Sequence, residues 1–241
     1  MKQRWWIYGF VLMAAACRIT SDKDKSEDDA SLGIKSANER KEANQAKINE
    51  MRSSIKDGDL ILRTGTDFSS EQVKLLSLKD KTYSHGGIAV HDSGDIYIYH
   101  VVPDYFHFND KVRKEKLDSF CNPAQNLGFA HARYNLEPAE TKVFIEYLDK
   151  QYQQKVPFDM RFHLSTDDSL YCSEMVKKGL ILATNNRIRI ENIRFNDSSK
   201  FKMVRQHFKV KDKDFVGREI VPIDNLFLHP SCQVIKRYVF E

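Results

Sequence analysis

The chain has 241 residues, enough for one domain with an appendage, and 41% hydrophobic with 30% charged residues leaves apolar surface for a real core. The formal charge is +4, and once Lys2 and Arg4 are set aside 36 basic residues face 34 acidic ones. That near balance offers no electrostatic case for nucleic acid, which needs a concentrated basic face. Lys209, Lys211 and Lys213 alternate with Asp212 and Asp214 and read as a solvated edge.

Residues 1–17 have the layout of a secretory signal. Lys2 and Arg4 are basic, Trp5 to Met13 is almost wholly apolar, and Ala14-Ala15-Ala16 precedes Cys17. The 12 residues from Trp5 to Ala16 fall short of the roughly 20 that a spanning helix needs. A Cys straight after small residues resembles a bacterial lipobox, which implies lipidation of Cys17 and a membrane anchor; simple cleavage is the alternative. Ala14 stands where that motif usually has Leu. Residues 18–33 are polar and acidic and read as a disordered tether. The acidic stretch beside Cys17 resembles surface-export signals of some Bacteroidetes lipoproteins.

Residues 34–54 predict a weakly amphipathic helix: Ile34, Ala37, Ile48 and Met51 share a register that Lys41 and Asn44 interrupt. The remainder, 55–241, reads as one domain. Leu60 to Arg63 predicts a strand and Gln72 to Leu78 a short helix. Gly87 to His91 and Ile96 to Val102 predict a hairpin joined through Asp92-Ser93-Gly94-Asp95. A strand near Phe129 to Tyr134 precedes a helix over Pro138 to Tyr152, with Pro138 in its first turn. Tyr171 to Ala183 predicts a second helix, and Ile220 to Pro222 and Val234 to Phe240 late strands. Helices with a mostly antiparallel sheet make an α+β domain.

Three side chains stand out chemically. A turn centred on Ser93-Gly94 puts Gly87 opposite His100 and His85 diagonal to it; a slip of two residues puts His85 directly opposite. Either register leaves both imidazoles on one face, within reach of each other, and only a one-residue bulge would part them. One ring able to orient another is half of a nucleophilic triad. Cys172 offers the other half. Asp167-Asp168-Ser169 supply N-capping side chains, so Cys172 falls in the first turn of a helix, where N–H groups and the dipole favour a thiolate and can serve an oxyanion. Single Cys and His residues are more often structural, and spacing alone does not establish an enzyme.

The motifs add to this. Asp57-Gly58-Asp59-Leu60-Ile61, then Tyr83-Ser84-His85-Gly86-Gly87-Ile88-Ala89-Val90, then Leu170-Tyr171-Cys172-Ser173-Glu174-Met175-Val176 resemble the YiiX/YaeF-like group of circularly permuted papain-like enzymes in the NlpC peptidase superfamily. Pro157-Phe158-Asp159 and Val221-Pro222-Ile223-Asp224-Asn225-Leu226 are further echoes. The resemblance implies a permuted papain-like fold, with Cys172 as nucleophile and His85 as general base. His100 matches the residue that holds the imidazole, where many members have Glu. Tyr171 either lines the oxyanion site or is a core aromatic.

No cofactor is implied, and a zinc site from His85, His100 and Cys172 lacks a fourth ligand. Cys121 and Cys232 sit in loop-like contexts where an extracytoplasmic compartment permits a disulfide. The expected function is an envelope cysteine hydrolase cleaving an amide bond, cell-wall peptides being the substrate implied by location and resemblance. The alternatives are an acyl-lipid hydrolase or acyltransferase, and a catalytically silent lipoprotein that binds peptide or lipid.

Overall fold

The structure, a computed structural model, describes residues 35–103, 111–196, 202–209, 211 and 216–241. The expected signal segment 1–17 with Cys17, the expected tether 18–33, Ile34 of the expected helix, and Asp212, Lys213 and Asp214 lie outside the described residues. The chain divides into two compact units, Met1–Glu42 and Ala43–Glu241. In the first, the Ser36 N–H donates to Glu39 Oε2 (2.7 Å) and the Glu39 N–H to Ser36 Oγ (3.3 Å). This reciprocal cap starts helix α1, Ala37–Arg52. No helix among the described residues is long and apolar enough to cross a membrane.

The second unit is built on a six-stranded antiparallel sheet. Its strands are β1 (Leu60–Gly65), β2 (His85–Asp92), β3 (Asp95–Val101), β4 (Val112–Lys116), β5 (Asn126–Tyr134) and, later in the chain, Cys232–Val239. A two-stranded ribbon, β6 (Ile193–Arg194) with β7 (Glu219–Ile220), intervenes in sequence, so the last strand is β8. The sheet order is β4-β3-β2-β1-β5-β8. The helices are α2 (Phe68–Lys74), α3 (Leu117–Phe120), α4 (Pro138–Gln153), α5 (Cys172–Ala183), α6 (Lys202–His207) and α7 (Ile223–Phe227). This is the α+β class that the mixed periodicity predicts.

Alternation along the strands splits the core into two layers. Leu60, Leu62, Ile88, Val90, Tyr99 and Val101 face α4, α5 and α7, meeting Phe144, Leu148, Met175, Val176, Leu180 and Leu226. Ile61, Ala89, Ile98 and Phe129 face the other way, onto Ile48 and Met51 of α1 and onto Leu117 and Phe120. Asn44, the polar break in the α1 stripe, is buried for a reason. Its side-chain oxygen accepts the Glu241 N–H at 3.0 Å and its amide donates to the Glu241 carbonyl at 3.3 Å.

Asp59, 1% exposed, ties the start of β1 to β5. Its carboxylate accepts from Arg133 Nε (2.6 Å) and Nη2 (2.7 Å), and from the Lys56 N–H (2.7 Å), with His131 Nε2 at 2.6 Å. Register makes this possible: Ile61 pairs with His131 and Leu60 with Ala132, so Asp59 reaches both β5 side chains.

Two elements differ from their predicted positions. The short helix expected over Gln72 to Leu78 runs from Phe68 to Lys74, because Asp67 caps it by accepting the Ser70 N–H (3.0 Å) and hydroxyl (2.7 Å). The late strand expected over Ile220 to Pro222 is two residues, Glu219–Ile220. Val221 is taken out of strand pairing by α5, as described below.

Candidate active site

The hairpin turn fixes the imidazole pair. Ser93 (φ 50°) and Gly94 (φ 85°) both take positive φ, the two-residue type I′ geometry that matches the twist of the flanking strands. Ile88 then pairs with Tyr99 and Ala89 with Ile98, the first of the two expected registers. Extended by one step it sets Gly87 against His100 and His85 diagonal to it. His85 Nε2 and His100 Nδ1 stand 3.0 Å apart, with the rings nearly perpendicular at 76°. The Phe120 ring packs on both, at 5.6 and 5.1 Å between centroids. Arg63 lies 4.6 Å over that same ring and donates to the Phe120 carbonyl at 3.0 Å.

Gly87 lets β3 approach β2 closely. A Cβ there would meet Ile98 Cγ2 at 2.5 Å, the Tyr99 carbonyl oxygen at 2.8 Å and His100 Cβ at 2.9 Å. Backbone cannot yield as a side chain does, so Gly87→Ala should push β2 from β3 beside the two rings. We expect about 1–3 kcal/mol of destabilisation in urea unfolding, with the His85–His100 contact lengthened in the variant's crystal structure. An unchanged stability would contradict the close approach.

Cys172 opens α5, as the periodicity predicts, but its cap is different. The helix is capped by Glu174, whose carboxylate accepts the Tyr171 N–H at 3.3 Å, while Asp167 pairs with Lys178 at 2.7 Å. The side chains flanking Cys172 grip one residue of the segment before α7. The Val221 N–H donates to the Tyr171 hydroxyl at 2.8 Å, and the Ser173 hydroxyl donates to the Val221 carbonyl at 2.6 Å. Both backbone groups of Val221 are thus engaged by these side chains rather than by a neighbouring strand. Tyr171 is 2% exposed, and burial raises its hydroxyl well above the ordinary pKa. Next along, Asp224 Oδ2 accepts the N–H groups of Leu78, Lys79 and Asp80 at 3.0, 2.7 and 3.3 Å. That anchors the loop that leads into Tyr83-Ser84-His85.

Cys172, His85, Arg63, Arg113 and Tyr171 line one cavity of about 620 Å3. Most of its remaining wall is apolar: Leu76, Phe158, Phe162, Phe208, Val221 and Ile223. Cys172 and His85 reach it from different layers. His85 shares the alternation of Ala89 and α5 covers the opposite face, so they meet at the end of the sheet where β2 begins. The Gly86 N–H, one residue from the imidazole, favours the ionised form of the Cys172 sulfur.

The thiol departs from expectation. The helix N-terminus predicts a lowered pKa, whereas burial pushes the Cys172 thiol up, only partly opposed by the N–H groups of Gly86, Ser173 and Cys172 itself. Burial also takes His85 well below 6.5, assisted by Arg63, His100 and Arg113. Both shifts favour a neutral thiol beside a neutral imidazole over an ion pair.

Glu115 was not singled out by sequence reasoning. Its Oε2 lies 2.9 Å from His100 Nε2, although the N–H is not aimed squarely at it. It sits on β4, whose Arg-Lys-Glu-Lys run has no apolar alternation to announce a strand. Cys121 and Cys232 are free thiols, the first buried and the second half-buried. Among the described residues no three His, Cys, Asp or Glu side chains are placed to hold a metal ion.

No protein-family model matches the chain, and no curated protein matches it. Among solved structures it is similar to the metalloprotein yiiX from Escherichia coli O157:H7. That match has 20% identity and a TM-score of 0.62, and covers 76% of this chain and 97% of that one. The two proteins share the α+β fold.

Proposed function

We propose that the protein hydrolyses an acyl derivative through an acyl-enzyme on Cys172. The observation that carries this is the His85–His100 contact opening into the cavity that Cys172 shares. His85 takes the thiol proton as sulfur attacks the carbonyl carbon. The tetrahedral oxyanion is met by N–H groups at the start of α5 and by Gly86. The imidazolium then protonates the departing amine or alcohol as its bond to carbon breaks. Water, deprotonated by the same ring, releases the carboxylic acid and restores the thiol. Tyr171 and Ser173 hold the cavity wall through Val221.

An amide bond in an envelope peptide is the first reading of the substrate, following from the sequence resemblance and from anchoring through a lipidated Cys17. The apolar cavity favours a second: a fatty-acyl ester, with the chain against Phe158, Phe162 and Phe208. The neighbour's description as a metalloprotein does not transfer to these residues. His85 Nε2 and His100 Nδ1 face each other at 3.0 Å rather than converging on a common point where an ion could sit.

The test is mass spectrometry of the purified protein after rapid mixing with p-nitrophenyl esters of graded chain length and with muropeptides. The expected result is a covalent acyl adduct on Cys172, absent in Cys172→Ala. Adducts that build up with chain length select the lipid reading, and adducts from muropeptides select the amide reading. No adduct and no product from either would sink both, leaving a binding protein.

A further inference from the structure

A pair of neutral imidazoles does not by itself define a base. Each ring carries one N–H and one lone pair, so the 3.0 Å contact has a donor and an acceptor in one of two orders. If His100 donates from Nδ1, His85 accepts at Nε2 and keeps its proton on Nδ1, the nitrogen that must receive the thiol proton. If His85 donates from Nε2, its Nδ1 is bare and ready. The order is decided at the far nitrogen of His100.

That nitrogen, Nε2, faces Glu115 Oε2 at 2.9 Å. The placement comes from strand register. On β4, Arg113 pairs with His100 and Glu115 with Ile98, so Glu115 is the diagonal neighbour of His100 on the same face. Burial opposes ionisation of Glu115, but His100, Arg63 and Arg113 outweigh it and hold the carboxyl below its ordinary range. An ionised carboxylate only accepts, so His100 must carry its proton on Nε2 and a lone pair on Nδ1. His85 must then donate from Nε2 and leave Nδ1 bare. The bent approach is within the freedom of a side chain that is 32% exposed on an edge strand.

We propose that Glu115 is a positioning residue, acting through His100 to set the tautomer of His85 and to supply the negative charge that His100 lacks. This rests on the thiol–imidazole reading above. During attack one proton moves from Cys172 Sγ to His85 Nδ1; the new imidazolium donates through His100 Nδ1 toward a carboxylate two bonds of the relay away. Arg63 and Arg113 flank the relay and oppose a cation on either ring, so the carboxylate offsets them as well.

The test uses the purified protein with p-nitrophenyl octanoate, comparing wild type, Glu115→Gln, the swap His100→Glu with Glu115→Gln, and His85→Ala. Each is checked by thermal unfolding. Glu115→Gln should lose roughly tenfold to a hundredfold in kcat with KM little changed, less than a directly bonded triad carboxylate because Glu115 is partly screened. Nitrogen-15 spectra of the histidine rings should show both protonated on Nε2 in wild type and mixed tautomers in Glu115→Gln. The swap, which puts a carboxylate directly on His85 Nε2, should recover most of the lost rate. Glu115→Gln with wild-type kcat and unmixed tautomers, beside an inactive His85→Ala, would overturn the assignment to Glu115 alone. A folded swap as slow as Glu115→Gln would overturn it too. An active His85→Ala would instead overturn the thiol–imidazole reading beneath it.

Discussion

His85→Ala is expected to lower kcat/KM by roughly 10²–10⁴-fold at neutral pH, the range that a positioned general base supplies. The shape of the pH profile should change along with its height. On the proposed mechanism the wild-type acid limb should follow protonation of His85, which burial holds well below 6.5, so activity should persist on the acid side of an ordinary histidine titration. Burial raises Cys172 above its ordinary value, so a thiol without its base ionises only at alkaline pH. The variant's residual rate should therefore climb with hydroxide through pH 9 and beyond, where the wild-type rate is level. Steady-state kinetics across pH, with circular dichroism to show a folded variant, checks this. Parallel profiles in the two proteins would remove His85 from proton transfer.

The second large effect concerns stability, away from the cavity. Asp59→Ala leaves His131 fully buried without its carboxylate and strips Arg133 of two of its bonds. Removing one partner of a buried charge network costs 3–5 kcal/mol, and Arg133, being partly exposed, can turn to water, so about 3 kcal/mol is expected. For a domain this size that is a fall of roughly 6–12 °C in Tm. Burial opposes ionisation of Asp59, but Arg133, His131 and the Lys56 N–H prevail and its pKa lies below 3.8. A depressed carboxylate contributes stability above its unfolded pKa and loses it as pH falls through the folded one. Wild-type stability should thus drop steeply below pH 3.8, and the variant's curve should be flatter there. Urea unfolding at a series of pH values measures both. A loss under 1 kcal/mol, or acid limbs of equal slope, would mean that the network is not coupled to folding.

Much of this is legible in the sequence. The turn residues Ser93-Gly94 and the two-residue period of the strands were sufficient to place His85 beside His100, because register follows from turn geometry. Helical spacing from Met175 to Ala183 located Cys172 at a helix start. What escaped was whatever depends on contacts between distant segments. Nothing in Asp167-Asp168-Ser169 reveals that Glu174 does the capping, since both patterns satisfy the same local rule. Helix position speaks to the dipole at Cys172 but not to burial, and here burial is the larger influence. Glu115 was invisible because an edge strand facing water on one side needs few apolar residues.

The hairpin carries a constraint on chain length that its location would not suggest. Asp92 to Asp95 is an exposed tip, the kind of site where added residues are ordinarily harmless. Here one added residue that shifts the pairing of β3 against β2 would turn His100 toward the opposite layer and bring Tyr99 or Val101 into its place. Two added residues accommodated as a longer loop would leave the pairing intact. The pairing set at this surface loop thus decides which layer receives the buried His100 ring.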